Sequence, residues 1–317
     1  MSPETTETML EFRYFTPEDR ESYEEVLFSS PERGCEFSFA NLYLWGRQKF
    51  AKVGDSIVLF SQFDRKTVYP FPVVRGDMSD TEAIRTAIDA VIRDAAARGI
   101  PCRITGLTAE FKDLLHLLYP DRFCYHCDAA SADYVYDIND LADLKGRKFH
   151  SKKNHVNRFR ENYPDIKAEP LSESNIEAVR ELIENWYAQR SAENPESDYL
   201  MEKAAITKAL THRHELAMES LVLMNGDRAA AVTFGSRISP DTVDVHFEKA
   251  DSSVQGAYAA VNCEFANYIR AKYPEIRYLN REEDMGIEGL RKAKQSYHPH
   301  HMVQKCWAHL LENGYDY

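Results

Sequence analysis

The 317-residue sequence contains 13 glycines, 13 prolines and only six cysteines, and it has no apolar stretch long enough to cross a bilayer. So few glycines and prolines exclude collagen-like and linker-like chains, and 44% hydrophobic with 12% aromatic residues exclude disorder. The cysteines, at positions 35, 102, 124, 127, 263 and 306, are scattered, which predicts reduced thiols rather than a disulfide framework. Cys124-Tyr-His-Cys127 has the spacing of half a zinc knuckle, but the other half is missing, so these two read as strand cysteines. His298-Pro-His300-His301 has no carboxylate at ligand spacing, and no metal is expected in the chain. Gly-x-Gly-x-x-Gly, Walker A, His-Glu-x-x-His and Gly-x-Ser-x-Gly are all absent, which leaves dinucleotide oxidoreductases, P-loop nucleotidases, zincins and serine hydrolases unsupported. Met-Ser-Pro-Glu-Thr-Thr-Glu at the start has neither the basic region nor the apolar core of a signal peptide. A cytoplasmic protein without integral membrane association is the expectation.

Positive charge is also scarce. A net charge of -12 argues against indiscriminate binding to nucleic acid or anionic lipid. Residues 145–160 break this trend, for they hold Lys145, Arg147, Lys148, Lys152, Lys153, Arg158 and Arg160 and no acid. The rest of the chain therefore stands seven charges lower, at -19. On a helix, Lys148, Lys152 and His155 fall about one turn apart, as do Asn154 and Arg158, giving two adjoining polar rows. Such rows can grip phosphates, or they can be a solvated face beside an acidic neighbour.

Apolar periodicity predicts two mixed α/β modules, residues 1–137 and 138–317. In the first, a polar tail at 1–8 precedes a strand at 12–15, a helix start at 16–19 and a helix over 37–49. Strands follow at 50–53, 57–63 and 68–74, then a helix over 81–98, a strand at 102–105, a helix over 109–118 and an aromatic strand region at 123–137. The second opens on a basic helical preface, 141–163. It continues with a strand at 166–170, helices at 174–190 and 199–215, and strands at 220–224, 229–236 and 242–249. A helix over 257–272, a strand at 277–280, a helix over 287–296 and a last strand at 301–310 complete it. The two halves share an order of elements without sharing letters.

That order, strand, two helices, three strands, helix, strand, helix, strand, resembles the GNAT (N-acetyltransferase-like) fold. Three segments carry a closer likeness: Lys145-Gly-Arg-Lys-Phe-His-Ser-Lys-Lys-Asn-His-Val-Asn-Arg-Phe, Val243-Asp-Val-His-Phe-Glu-Lys-Ala250, and residues 279–297 with Asn280-Arg-Glu-Glu-Asp284. Glu36-Phe-Ser-Phe-Ala-Asn-Leu-Tyr-Leu-Trp45 and Asp133-Tyr-Val-Tyr-Asp137 extend it over nearly the whole chain. These segments are similar to the bacterial family related to the C-terminal domain of phosphatidylglycerol lysyltransferases. The resemblance implies two tandem GNAT domains, with Fem-type transferases as further relatives. It also implies an activity that moves an aminoacyl group from aminoacyl-tRNA to an amine or hydroxyl acceptor. This sequence departs from the lysyltransferases in lacking their multi-spanning membrane domain, which leaves a lipid acceptor unsupported.

The expected donor site follows from the same comparison. The basic stretch offers Lys148, Lys152, Lys153, Asn154, Asn157 and Arg158 to phosphates of tRNA or CoA. The loop after residues 242–249 resembles the GNAT pyrophosphate loop in keeping Gly256-Ala257 at a helix N-terminus, but Ser253 stands where acetyl-CoA enzymes carry Arg or Gln. Glu248 is the candidate general base and Lys249 the candidate oxyanion partner, unless the two form a strand-end ion pair. Tyr297 is a candidate general acid or a packing residue. Asn280, Arg281, Glu282, Asp284, Lys292 and Lys294 are candidates for substrate binding. Aminoacyl-tRNA or acyl-CoA would be donor substrates, with no tightly bound cofactor. Two other functions fit the residues as well: an acyl-CoA-dependent N-acyltransferase, and a non-catalytic protein that binds RNA or another polyanion.

Overall fold

Local signals set several element limits. The Asp80 side chain accepts from the Ala83 amide and Gly99 takes a left-handed φ of 64°, so the helix between them runs over Thr81–Arg98 as its pattern predicts. Thr108 likewise caps a helix over Ala109–Leu118. The computed structural model describes residues 9–63, 66–76, 78–195 and 199–311; the polar stretch at 1–8 lies outside these.

Among the described residues the chain forms β1 (Arg13–Tyr14), α1 (Arg20–Phe28), α2 (Phe39–Trp45), β2 (Gln48–Val53), β3 (Ser56–Phe63), β4 (Lys66–Pro70), α3 (Thr81–Arg98), β5 (Arg103–Leu107), α4 (Ala109–Leu118) and β6 (Phe123–Cys127). Then come β7 (Asp133–Asp137), α5 (Ile138–Asp143), α6 (His150–Asn162), β8 (Lys167–Pro170), α7 (Ile176–Glu193), α8 (Leu200–His212), β9 (Glu219–Asn225), β10 (Arg228–Ser239) and β11 (Thr242–Ala250). The last elements are α9 (Ala257–Lys272), β12 (Tyr278–Asn280), α10 (Glu288–Gln295), β13 (His301–Val303) and β14 (Cys306–Leu310).

Two seven-stranded sheets result, ordered β1-β2-β3-β4-β5-β14-β6 and β8-β9-β10-β11-β12-β7-β13. Each has an antiparallel run of four strands, then one parallel step, β4 to β5 or β11 to β12. The next strand in each sheet is antiparallel and comes from the other half of the sequence: β14 in the first, β7 in the second. The compact units are accordingly Met1–Ala132 with Val303–Tyr317, and Asp133–Met302. This differs from a division at 137/138, because backbone pairing carries β7 into the second sheet. Residues 301–310, expected as one strand, are two: β13 belongs to the second sheet and β14 to the first.

Cys306 lies directly opposite Cys127 in the β14–β6 register, with Cα atoms 4.2 Å apart, and the two form a disulfide. That corrects the expectation of reduced thiols for this pair. Cys35, Cys102, Cys124 and Cys263 take no part in a disulfide. In the same unit Arg33 is buried, its guanidinium donating to the carbonyls of Phe71 and Pro72 and lying against the rings of Phe37 and Phe111.

In the second unit, Val243, Val245 and Leu279 of the sheet pack on Phe265, Ala266 and Ile269 of α9. β11 and β12 pair only where Thr242, Val243 and Asp244 meet Tyr278, Leu279 and Asn280. β11 then runs on to Ala250 while the chain leaves β12 at Arg281. This parting of two parallel strands leaves polar side chains without a ladder neighbour, and the candidate site lies there.

Candidate functional site

Consecutive strand residues point to opposite faces of a sheet. A β-bulge at His246 shifts this alternation by one residue, so Glu248, like Val243 and Val245, faces α9, where the Asn262 amide approaches its Oε2 at 3.4 Å, and Arg281 Nη2 donates to its Oε1 at 3.0 Å. The Arg281 guanidinium carbon lies 5.2 Å from the centre of the Tyr297 ring and 5.8 Å from that of Tyr136. Lys152, half-buried on α6, places its ammonium 4.2 Å from the centre of the Tyr297 ring. One cluster thus unites residues from α6, β7, β11, α9, the turn after β12 and the turn after α10.

The cluster is polar, largely buried and incompletely satisfied. Arg281 Nη1, Asn262 Oδ1 and Thr233 Oγ1, the last from the residue opposite Glu248 in the β10–β11 register, are buried with no hydrogen-bond partner among the described residues. Each such group costs about 1–3 kcal/mol. Donors and an acceptor left bare around one carboxylate suit a ligand with acceptors and a donor of its own. Burial, together with the nearby positive charge of Arg281, lowers the Lys152 pKa. Burial pushes the Tyr297 hydroxyl up to about 12, so it holds its proton at neutral pH.

Lys249 turns the other way. Its ammonium pairs with Glu202 at 2.8 Å, lies 3.7 Å from the centre of the Trp186 ring, and is 5.3 Å from that of Tyr187. Burial lowers its pKa, and Glu202 opposes that shift. The pleat thus separates Glu248 from Lys249, which pairs with Glu202 instead of forming a strand-end ion pair. Arg281 is the cation beside Glu248.

The other expected site residues divide between exposed positions and the framework. Asp284, buried, accepts from Arg291 at 2.8 and 3.1 Å, from the Tyr134 hydroxyl and from the Gly286 amide. The Arg291 hydrogen bonds, with these others, hold its carboxyl well below the usual carboxylate range despite burial. Lys294, its pKa lowered by burial, donates to the carbonyls of Arg281, Glu282 and Glu283. Asn280 binds Asp133 and the Glu282 amide. These three residues tie down the turn that aims Arg281. Lys292 makes an exposed ion pair with Glu288 within α10.

Along the basic segment, Lys145, Lys148 and Arg160 pair with Asp143, Asp140 and Glu264. Asn154 meets His150, while Lys153, Asn157 and Arg158 are exposed. Gly256, at a φ of 88°, lets α6 pack onto the start of α9: an added Cβ would lie 3.1 Å from Phe159 Cβ and 3.2 Å from the His155 carbonyl oxygen. Ala257 is buried in the same contact. Both residues therefore serve packing at a helix end expected to be an open anion site. Sequence reasoning missed Asn262, Tyr136 and Thr233. The one signal for Asn262 is a lone amide in the apolar run Ala-Ala-Val-Asn-Cys of α9.

No helix of the described residues is long and apolar enough to cross a membrane. Among solved structures, one from Bacteroides thetaiotaomicron, of a conserved protein of unknown function, is 36% identical to this chain. It covers 96% of this chain and 100% of its own, with a TM-score of 0.88. The structure of L-PGS from Bacillus licheniformis shares the fold at 13% identity, with a TM-score of 0.68 and coverage of 93% and 92%. The structure of FemX shares the fold at 10% identity, with a TM-score of 0.63 and coverage of 95% and 98%. An uncharacterized protein of Mycoplasmoides gallisepticum is 22% identical over 179 residues, 56% of this chain; the match spans about half, 55%, of that relative. The model of the phosphatidylglycerol lysyltransferase C-terminal family matches residues 28–309, and the chain belongs to that family.

Proposed function

We propose that the chain is an aminoacyltransferase that takes an aminoacyl group from aminoacyl-tRNA and passes it to an amine or hydroxyl acceptor. One observation carries the reading: Glu248 sits among Arg281 Nη1, Asn262 Oδ1 and Thr233 Oγ1, buried polar atoms with no partner in the described residues. Family membership supports the choice of reaction and the tRNA donor. The exposed Lys153, Asn157 and Arg158 beside half-buried Lys152 supply a surface suited to the tRNA backbone.

In this reading the acceptor nitrogen or oxygen attacks the ester carbonyl carbon of the donor. The new bond is an amide or ester, and the bond that breaks joins the carbonyl carbon to the ribose oxygen. Glu248 takes the acceptor's proton, and the Tyr297 hydroxyl protonates the departing ribose oxygen before recovering a proton through Glu248. Arg281 holds the oxyanion of the tetrahedral intermediate.

The test is titration of the full chain with aminoacyl-tRNA, uncharged tRNA and acyl-CoA at two salt concentrations, followed by product analysis with labelled aminoacyl-tRNA. Salt-sensitive tRNA binding and transfer that disappears in Glu248→Gln support the proposal. Saturable CoA binding without tRNA binding overturns it in favour of an acyl-CoA enzyme. Polyanion binding with no transfer to any amine or hydroxyl acceptor overturns it in favour of a binding protein.

A further inference from the structure

We propose that Asp244, His246 and Glu282 form a divalent-cation site of the zinc class. The three offer an imidazole nitrogen and two carboxylate oxygens, all within 4.8 Å of one another. His246 Nδ1 lies 3.4 Å from Asp244 Oδ2 and 3.6 Å from Glu282 Oε1. These separations are too long for good hydrogen bonds. They fit the edges of a tetrahedron, for donors about 2.0–2.2 Å from a common zinc ion stand about 3.4 Å apart.

A second observation points to the same ligand. The His246 side chain is fully buried, and its Nδ1 has no hydrogen-bond partner. Its Nε2 lies 2.8 Å from Ser236 Oγ. With Nε2 donating to Ser236, Nδ1 presents a bare lone pair to the two carboxylates, which is how ligating histidines are commonly held. The backbone accounts for the aim of the ring. Val245 pairs with Gly235 and Phe247 with Phe234, which leaves His246 as the extra residue of a β-bulge.

Two carboxylates and one imidazole suit zinc, with a fourth position open to water. Glu282 is 27% exposed, which provides a route in. Asp244 sits opposite Asn280 on the last shared rung of β11 and β12, and Glu282 follows Arg281. An ion here clasps the two strands where they part and steadies the turn that carries Arg281. No short ligand motif announces the site, since Asp-x-His lies on one strand and the Glu comes from a distant turn.

The full chain, stripped with a chelator, is titrated with Zn²⁺ against a chromophoric competitor and separately with Co²⁺. The expected result is one equivalent of Zn²⁺ bound, a tetrahedral Co²⁺ visible spectrum, and a zinc-dependent rise in Tm. Binding should weaken at least 10-fold in Glu282→Gln, which alters a partly exposed side chain and so keeps the test valid if His246→Ala misfolds. His300→Ala should bind as the parent does. No stoichiometric zinc, undiminished affinity in Glu282→Gln, or loss of the site in His300→Ala overturns the proposal. So does an NMR spectrum in which both His246 nitrogens stay protonated in the presence of Zn²⁺.

Discussion

Arg281 Nη2 donates to Glu248 Oε1 at 3.0 Å, joining the first residue after β12 to the neighbouring strand just beyond their last shared rung. The contact makes Glu248 an anchored carboxylate, oriented by two donors, with other polar atoms around it still unpaired. A glutamine there keeps the shape and can still accept from Arg281, but it cannot take a proton. Glu248→Gln is therefore expected to lower kcat by about 10²–10⁴ while tRNA affinity stays within about twofold. Single-turnover transfer and equilibrium binding on the same preparation check this. Equal losses in both would reassign Glu248 to donor binding.

Asp284 should make the protein acid-sensitive. Its carboxyl titrates below the ordinary range, chiefly through the Arg291 hydrogen bonds, so the folded state binds fewer protons than the unfolded chain. The stabilisation is full above the ordinary value of about 3.9 and fades as pH falls from there toward the depressed folded value. Asp284→Asn is expected to cost about 1–3 kcal/mol at pH 7 and to flatten the acid limb of the stability curve. Urea unfolding at intervals between about pH 2 and 6 measures both effects.

The packing of α6 on α9 leaves no room at Gly256. An alanine would adopt an unfavourable positive φ and push its Cβ against Phe159 and the His155 carbonyl, so part of α6 must retreat. Gly256→Ala is expected to destabilise the chain by about 1–3 kcal/mol. It should also weaken tRNA binding, because Lys152, Lys153 and Arg158 ride on the displaced helix. Thermal unfolding and a salt-dependent tRNA titration test these two consequences separately.

The sequence made the local elements legible where caps and periodicity agree, as at α3 and α4, whose limits match the pattern. Register and partner were not legible. Tyr134-Val-Tyr136 reads as a strand in any sheet, and only pairing with β12 assigns it to the second unit. The break between β13 and β14 is equally silent, since His301-Met-Val and Cys306-Trp-Ala-His-Leu are both strand-like. At the candidate site, residue types identified Glu248, Lys152, Arg281 and Tyr297. The pleat that sends Lys249 to Trp186, and the capture of Lys294 by three carbonyls, depend on three-dimensional neighbours that no spacing along the chain encodes.

The exchanged strand β14 depends on a covalent tie. Cys306 is bonded to Cys127 across 179 residues, and a closed loop of that length removes much chain entropy from the unfolded state. Reduction, or Cys306→Ser, is expected to lower stability by about 2–4 kcal/mol, whereas Cys124→Ser on β6, the strand that carries Cys127, should have little effect because that thiol is exposed and outside the disulfide. Thiol counting under denaturing conditions checks the bond itself: four reactive thiols before reduction and six after it. Urea unfolding with and without reductant then measures its contribution. Six thiols in protein purified without reductant would show that β14 is held in the sheet by backbone pairing and packing alone, and the stability difference between Cys306→Ser and the parent should then shrink to that of a buried side-chain change.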